Sequence, residues 1–217
     1  MTTNIARDEM LGQVRWALKR TVDSEVAAIP ATARIVPRLA GDEESELSAF
    51  FAEVDKLGGK TKRLENTASL EAALRELVAA ESIKKAVLWQ TAQLKEWGVE
   101  ETLRSIGVEI VSPYASNRDV ADCDLGITGA DFALPETGTL GLRSTIDQPR
   151  TVSLLPRVHL ALIQTACLRA DLHQVFDEAK HDGYFVFVTG PSRTADIELT
   201  VTIGVHGPKT LCVWAMA

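Results

Sequence analysis

The sequence predicts an α/β protein: a mostly parallel sheet flanked by helices, with a helical arm at the N-terminus. Three observations predict it. Between residues 43 and 111, short apolar runs alternate with helical stretches of roughly ten to fifteen residues, the pattern of strands joined by crossover helices. Beyond Ala121, apolar runs separated by Gly, Pro, Asp and Thr make the C-terminal half strand-dense. The 217 residues, 46% hydrophobic and 24% charged, have ordinary globular composition and enough length to bury a core without a disulfide or metal staple.

Each element follows from local chemistry. Ile5 to about Ala28 places Met10, Val14, Ala17, Leu18 and Val22 near helical spacing with charges between them, an amphipathic helix that must pack on something. Ile29 to Gly41 contains Pro30 and Pro37 and reads as an irregular connector. The expected division is therefore residues 1–40 as arm and connector, and 41–217 as the main domain. Glu43 to Leu57 is helical and stops at Gly58-Gly59, where positive φ is easily reached. Lys60–Leu64, Ala86–Trp89 and Val108–Val111 read as strands; Ser69–Ala80 and Trp97–Ile106 read as helices, the second stopped by Gly107. In the C-terminal half only Leu172–Ala179 has a clear helical pattern, and Tyr184–Val188 is a strand. No internal repeat or low-complexity tract occurs.

Bulk properties exclude several classes. A formal charge of −7 and a pI near 5.2 argue against a nucleic-acid binder, which needs a basic face. No apolar run reaches membrane-spanning length and the polar start MTTNIARDEM is no secretory leader, so a cytoplasmic protein is expected. Cys123, Cys167 and Cys212 lie far apart among aliphatic neighbours without CxxC spacing, which predicts buried, reduced thiols rather than a disulfide framework or an iron–sulfur or zinc site. No histidine pair has metal-ligand spacing, so no metal site is expected.

Four clusters between Gly126 and Pro208 carry chemistry. Gly126-Ile127-Thr128-Gly129-Ala130-Asp131 follows a strand, where glycines permit close approach of a ligand; a plain turn explains it equally well. Glu136-Thr137-Gly138-Thr139 sets a carboxylate beside two hydroxyls in apolar surroundings, which favours acid/base work if the chain is buried and an ordinary turn carboxylate if it is not. Gly190 to Glu198 brings a fixed turn, the hydroxyls of Ser192 and Thr194, and Arg193, whose fork can hold a carboxylate or phosphate. On a strand, Asp196 and Glu198 would share a face, as a working pair or as ion partners of Arg193. Finally, His206 sits in the glycine-flanked turn Gly204-Val205-His206-Gly207-Pro208, suited to proton transfer near neutral pH. His159, His173 and His181 fit structural or solvent-facing roles.

Taken in order, GITGADFALPETGTLGL, RTVSLLPRVHLALI, GPSRTADIELTVTIGVHGP and the closing TLCVWAMA resemble the LUD domain family of the lactate-utilisation type, from about Leu88 to Ala217. Pro135 departs from the small residue expected before the glutamate. The resemblance implies a NagB/RpiA/CoA-transferase-like fold. It implies a subunit of a system that oxidises L-lactate to pyruvate, with iron–sulfur clusters on partner subunits and no cofactor on this chain. On that reading Glu136, Asp196 and His206 are the catalytic candidates, with no nucleic-acid partner and a homo-oligomer compatible. Gly129, Thr137, Gly138, Thr139, Ser192, Arg193, Thr194, Glu198 and Gly207 would surround a small anion such as lactate. The alternatives are a non-catalytic assembly or ligand-sensing subunit, and a free-standing CoA-transferase-like or phosphosugar enzyme.

Overall fold

Helix caps explain where the elements begin in the computed structural model, which describes residues 5–18, 36, 38–179, 183–195, 201–203 and 207–217. The chain divides into two compact units, Met1–Val36 and Pro37–Ala217. The first contains α1 (Ile5–Ala17). The predicted continuation of this helix to Ala28 lies outside the described residues.

In the second unit, α2 (Glu43–Lys56) starts where the Asp42 carboxylate accepts the Ser45 N–H at 3.0 Å, with Glu43, Glu44 and Glu46 complementing the helix dipole. It ends at Leu57, and Gly58 then turns the chain at φ +83°. β1 (Lys60–Leu64) leads to α3 (Thr67–Ala80), which begins two residues before the predicted start because Asn66 and Ser69 form a capping box. After β2 (Lys85–Leu88) comes a short α4 (Ala92–Glu96) that the sequence reading did not include, and the helix expected over Trp97–Ile106 is α5 (Val99–Ser105). Gly98, at φ +64°, breaks them apart. β3 (Glu109–Val111) and a short α6 (Asn117–Ala121), capped by Ser116, precede β4 (Leu125–Thr128).

β5 (Phe132–Leu134) and β6 (Thr139–Arg143) follow. Next comes α7 (Thr151–Leu154), inside a run that reads as part of the strand-dense region. Four consecutive apolar or small residues fit both helical and strand periods, and tertiary packing decides: α7 lies directly on Gly126. β7 (Val158–Gln164), α8 (Leu172–Ala179), β8 (Phe185–Thr189), β9 (Arg193–Ala195), β10 (Val201–Ile203) and β11 (Thr210–Met216) complete the order.

Six strands form one all-parallel sheet in the order β1-β11-β7-β4-β2-β3. Its interior strands are buried almost end to end, which is why β4, β7 and β11 read as continuous apolar runs. Helices supply Phe50, Leu70, Leu74 and Leu103 to the core around it. β5, β6 and β8 make a separate antiparallel sheet in the order β5-β6-β8, and β9 pairs with β10 as an antiparallel hairpin. The three cysteines are free and buried. Burial pushes the Cys123 and Cys212 thiols up to about 11 and Cys167 to about 12, so all three are poor nucleophiles at neutral pH. Among the described residues no helix is long and apolar enough to cross a membrane.

Candidate functional site

The antiparallel sheet brings two of the four clusters together. Glu136 and Thr137 lie exposed on the turn between β5 and β6, closed by the Thr137 N–H donating to the Leu134 carbonyl at 3.3 Å. Register places Thr139 at the start of β6 opposite Thr189 at the end of β8. Their hydroxyls share a hydrogen bond of 2.8 Å, and Thr139 also meets the Thr137 hydroxyl at 2.7 Å. The result is a chain of three hydroxyls running from the Glu136 turn to the strand that enters Gly190.

Both turns seat on the end of α2, and glycine makes this possible. Gly138 has φ +62°, and a Cβ there would lie 2.8 Å from the Val54 nitrogen. Gly190 has φ +82° and packs against Leu57. The Arg193 guanidinium donates to the Leu57 carbonyl, so it occupies an orphan acceptor at the carboxyl end of α2. Ser192 donates its N–H to the Pro208 carbonyl at 2.9 Å and lies against Gly207, which joins the third cluster to the start of the closing strand. Thr194 pairs with Thr202 in the β9–β10 hairpin. Asp196, Glu198 and His206 lie outside the described residues.

Beside this meeting point is a cavity of about 300 Å³. It is lined by Glu136, Thr137, Thr139 and Thr189 together with Leu134, Leu172, Phe176 and Phe187. Arg193 and Ser192 are not among its lining residues. Sequence reasoning missed Thr189, Phe176 and Phe187. Thr189 carries no motif and is found only through its register with Thr139, and the aromatic wall comes from packing of α8 against β8, where the Phe176 and Phe187 rings meet edge-on with centroids 6.3 Å apart.

A further cation belongs to this neighbourhood. Arg38 forms a two-pronged salt bridge to Glu46, both hydrogen bonds 2.8 Å, and its backbone N–H donates to Asp171 at 2.8 Å. Asp171 in turn accepts the Gln174 N–H at 2.9 Å and so caps α8. The Glu46 hydrogen bond raises the Arg38 pKa above its ordinary value, and the charge of Glu136 adds to the same effect. Arg38 is thus within electrostatic reach of Glu136.

The first cluster sits elsewhere. Gly129 is buried beyond the end of β4, facing Gln93 and Leu162, and Asp131 is tied to the Arg143 N–H at 2.8 Å. Gly126 has a packing explanation: a Cβ there would lie 1.9 Å from the Val152 carbonyl oxygen of α7. Next to it, fully buried Thr128 and His159 share a hydrogen bond of 2.9 Å, and burial lowers the His159 pKa to about 4. No group of three or more His, Cys, Asp or Glu among the described residues is placed to hold a metal.

Comparison with known proteins agrees with this architecture. The profile of the LUD domain family matches residues 47–215. Lactate utilization protein C of Shouchella clausii is 33% identical over 153 residues, which cover 66% of this chain and 67% of that protein. Its counterpart from a Geobacillus strain is 32% identical over 184 residues, 76% of each chain. Among solved structures, a DUF162 family protein from Deinococcus radiodurans superposes with a TM-score of 0.61 at 17% identity, covering 82% of this chain and 100% of that one, a likeness of fold.

Proposed function

The chain belongs to the LUD domain family, and from that premise we propose that it serves lactate utilisation by binding a small 2-hydroxy or 2-oxo acid beside Glu136. One observation carries the reading: the hydroxyl chain Thr137–Thr139–Thr189 at the edge of the Glu136 cavity. Three hydroxyls supply three protons, and the two hydrogen bonds among them use two. One proton remains to donate to a ligand oxygen, while the Glu136 carboxylate accepts. A 2-hydroxy acid matches that pair, its carboxylate taking the threonine proton and its hydroxyl donating to Glu136.

On this reading lactate goes to pyruvate with loss of two electrons and two protons: Glu136 takes the hydroxyl proton, the Cα hydrogen leaves as the second proton, for which His206 is the candidate acceptor, and both electrons pass to iron–sulfur clusters on partner subunits in the cytoplasm. Titration calorimetry with L-lactate and pyruvate tests the proposal. Saturable binding is expected, weakened at least about tenfold in Thr139→Val, a loss of about 1.4 kcal/mol. Absence of binding, or unchanged affinity in Thr139→Val, removes this cavity as the acid site.

A second reading has its own observation. Leu172, Phe176 and Phe187 are 41%, 55% and 42% exposed, a wider apolar wall than the methyl group of lactate needs. It suits an assembly subunit on which a partner rests. Replacing Phe176 and Phe187 together by serine separates the two readings, because docking is lost under the second while lactate affinity holds.

A further inference from the structure

The antiparallel sheet lays out the Glu136 cavity in two rows, and lactate uses only the first. Register puts Leu134, Thr139 and Thr189 side by side across β5, β6 and β8, and puts Phe132, Gly141 and Phe187 side by side one step further along. Side chains two residues apart on a strand share a face, so both rows look the same way, about 7 Å apart. The first row holds the hydroxyl pair Thr139–Thr189 at 2.8 Å. The second is aromatic, and glycine at its centre keeps it low: a Cβ at Gly141 would lie 3.3 Å from Phe132 and 3.5 Å from Phe187.

Helix α8 covers this face. Its buried Val175 and Ala179 cluster with Phe132 and Leu134. Leu172 and Phe176, four residues apart and so neighbours on the helix surface, reach the cavity. The Phe176 ring meets Phe187 edge-on, with centroids 6.3 Å apart. Along β8 the lining therefore passes from a hydroxyl at Thr189 to an aromatic ring at Phe187.

That order fixes the shape of the ligand. The polar row takes a carboxylate and a 2-hydroxyl, which sit on adjacent carbons. From there the methyl of lactate extends by a single bond, too short for a ring about 7 Å further along. A branched aliphatic or phenyl side chain spans the distance and takes apolar surface of half-exposed Phe176 and Phe187 out of water. Among the described residues that line the cavity there is no lysine or arginine, so a second carboxylate on the ligand finds no cation there. Resting on the acid site read at Glu136, we infer that this cavity selects a 2-hydroxy acid with a bulky apolar side chain. Phe176 and Phe187 are its specificity-determining residues.

Calorimetry on the full chain with L-lactate, L-2-hydroxy-4-methylpentanoate, L-3-phenyllactate and 3-phenylpropanoate tests it; the last has ring and carboxylate but no hydroxyl. At least one of the two bulky hydroxy acids should bind at least about tenfold tighter than L-lactate, the discrimination that an added apolar group gives in a hydrophobic pocket. Phe176→Ala, at a half-exposed helix position, should cut that preference at least about threefold at unchanged melting temperature. Thr139→Val should weaken the bulky acid and lactate alike. The inference is overturned, with the acid site left standing, if lactate binds as tightly as both bulky acids or 3-phenylpropanoate as tightly as phenyllactate. A preference intact in Phe176→Ala, or a bulky acid whose affinity Thr139→Val leaves unchanged, overturns it as well. Binding of none of the four removes the acid site at Glu136 itself, and the inference with it.

Discussion

His159 is a proton acceptor that the fold holds neutral. It is fully buried, its Nε2 meets Thr128, and its Nδ1 has no hydrogen-bond partner among the described residues. Burial lowers its pKa from 6.5 to about 4. The unfolded chain takes up this proton near pH 6.5, whereas the folded chain waits until about pH 4. Stability therefore falls as pH drops through that window and is fully present above it. Between pH 7.5 and 5 the loss from this one side chain is about 2 kcal/mol by proton linkage. Urea unfolding at the two pH values should show that loss in the wild-type chain. In His159→Gln it should be smaller by about the same 2 kcal/mol, since glutamine does not titrate. An equal pH dependence in both proteins would assign the effect to carboxylates instead.

Gly126 and Arg193 belong to clusters that read as ligand sites, and each has a role between elements. Gly126→Ala would place a Cβ 1.9 Å from a backbone oxygen of α7, so the helix must move. A loss of about 1–3 kcal/mol is expected from overpacking, measured by denaturant unfolding, with β4 itself intact. Arg193→Ala removes the donor from the Leu57 carbonyl at the end of α2. It should cost about 1 kcal/mol of stability and leave lactate affinity within about twofold. A large loss of affinity at unchanged stability would show that Arg193 leaves α2 to hold the substrate. These residues mark how much was legible. Strands β4 and β7 were visible because buried parallel strands are apolar on both faces, and Glu136 to Thr139 because polar groups stood out among apolar ones. Helix α7 was hidden, since its seat on Gly126 exists only after the sheet forms. Thr189, Phe176 and Arg38 were hidden for the same reason: register and helix packing, not local pattern, bring them to Glu136.

At the scale of the whole chain, the sheet, the Glu136 cavity and the family match all lie between Pro37 and Ala217. That unit has its own core, from Leu47 to Met216, so it contains what a domain needs to fold. The N-terminal unit is different in kind. Its helix carries Met10 and Val14 four residues apart, with Leu18 just past its end, and has the charged residues Asp8 and Glu9 before Met10 and Arg15 between Val14 and Leu18. A single helix of 13 residues is marginal in water without a surface to cover its apolar stripe. The stripe therefore predicts a docking partner, either the chain's own second unit or another copy. Removing residues 1–36 decides between them. Self-docking predicts a lower melting temperature at unchanged mass; docking on a second copy predicts a smaller mass by light scattering. In both cases lactate affinity should persist, because the Glu136 cavity lies wholly in the second unit. Identical mass and identical melting temperature after the deletion would show that the stripe packs on neither.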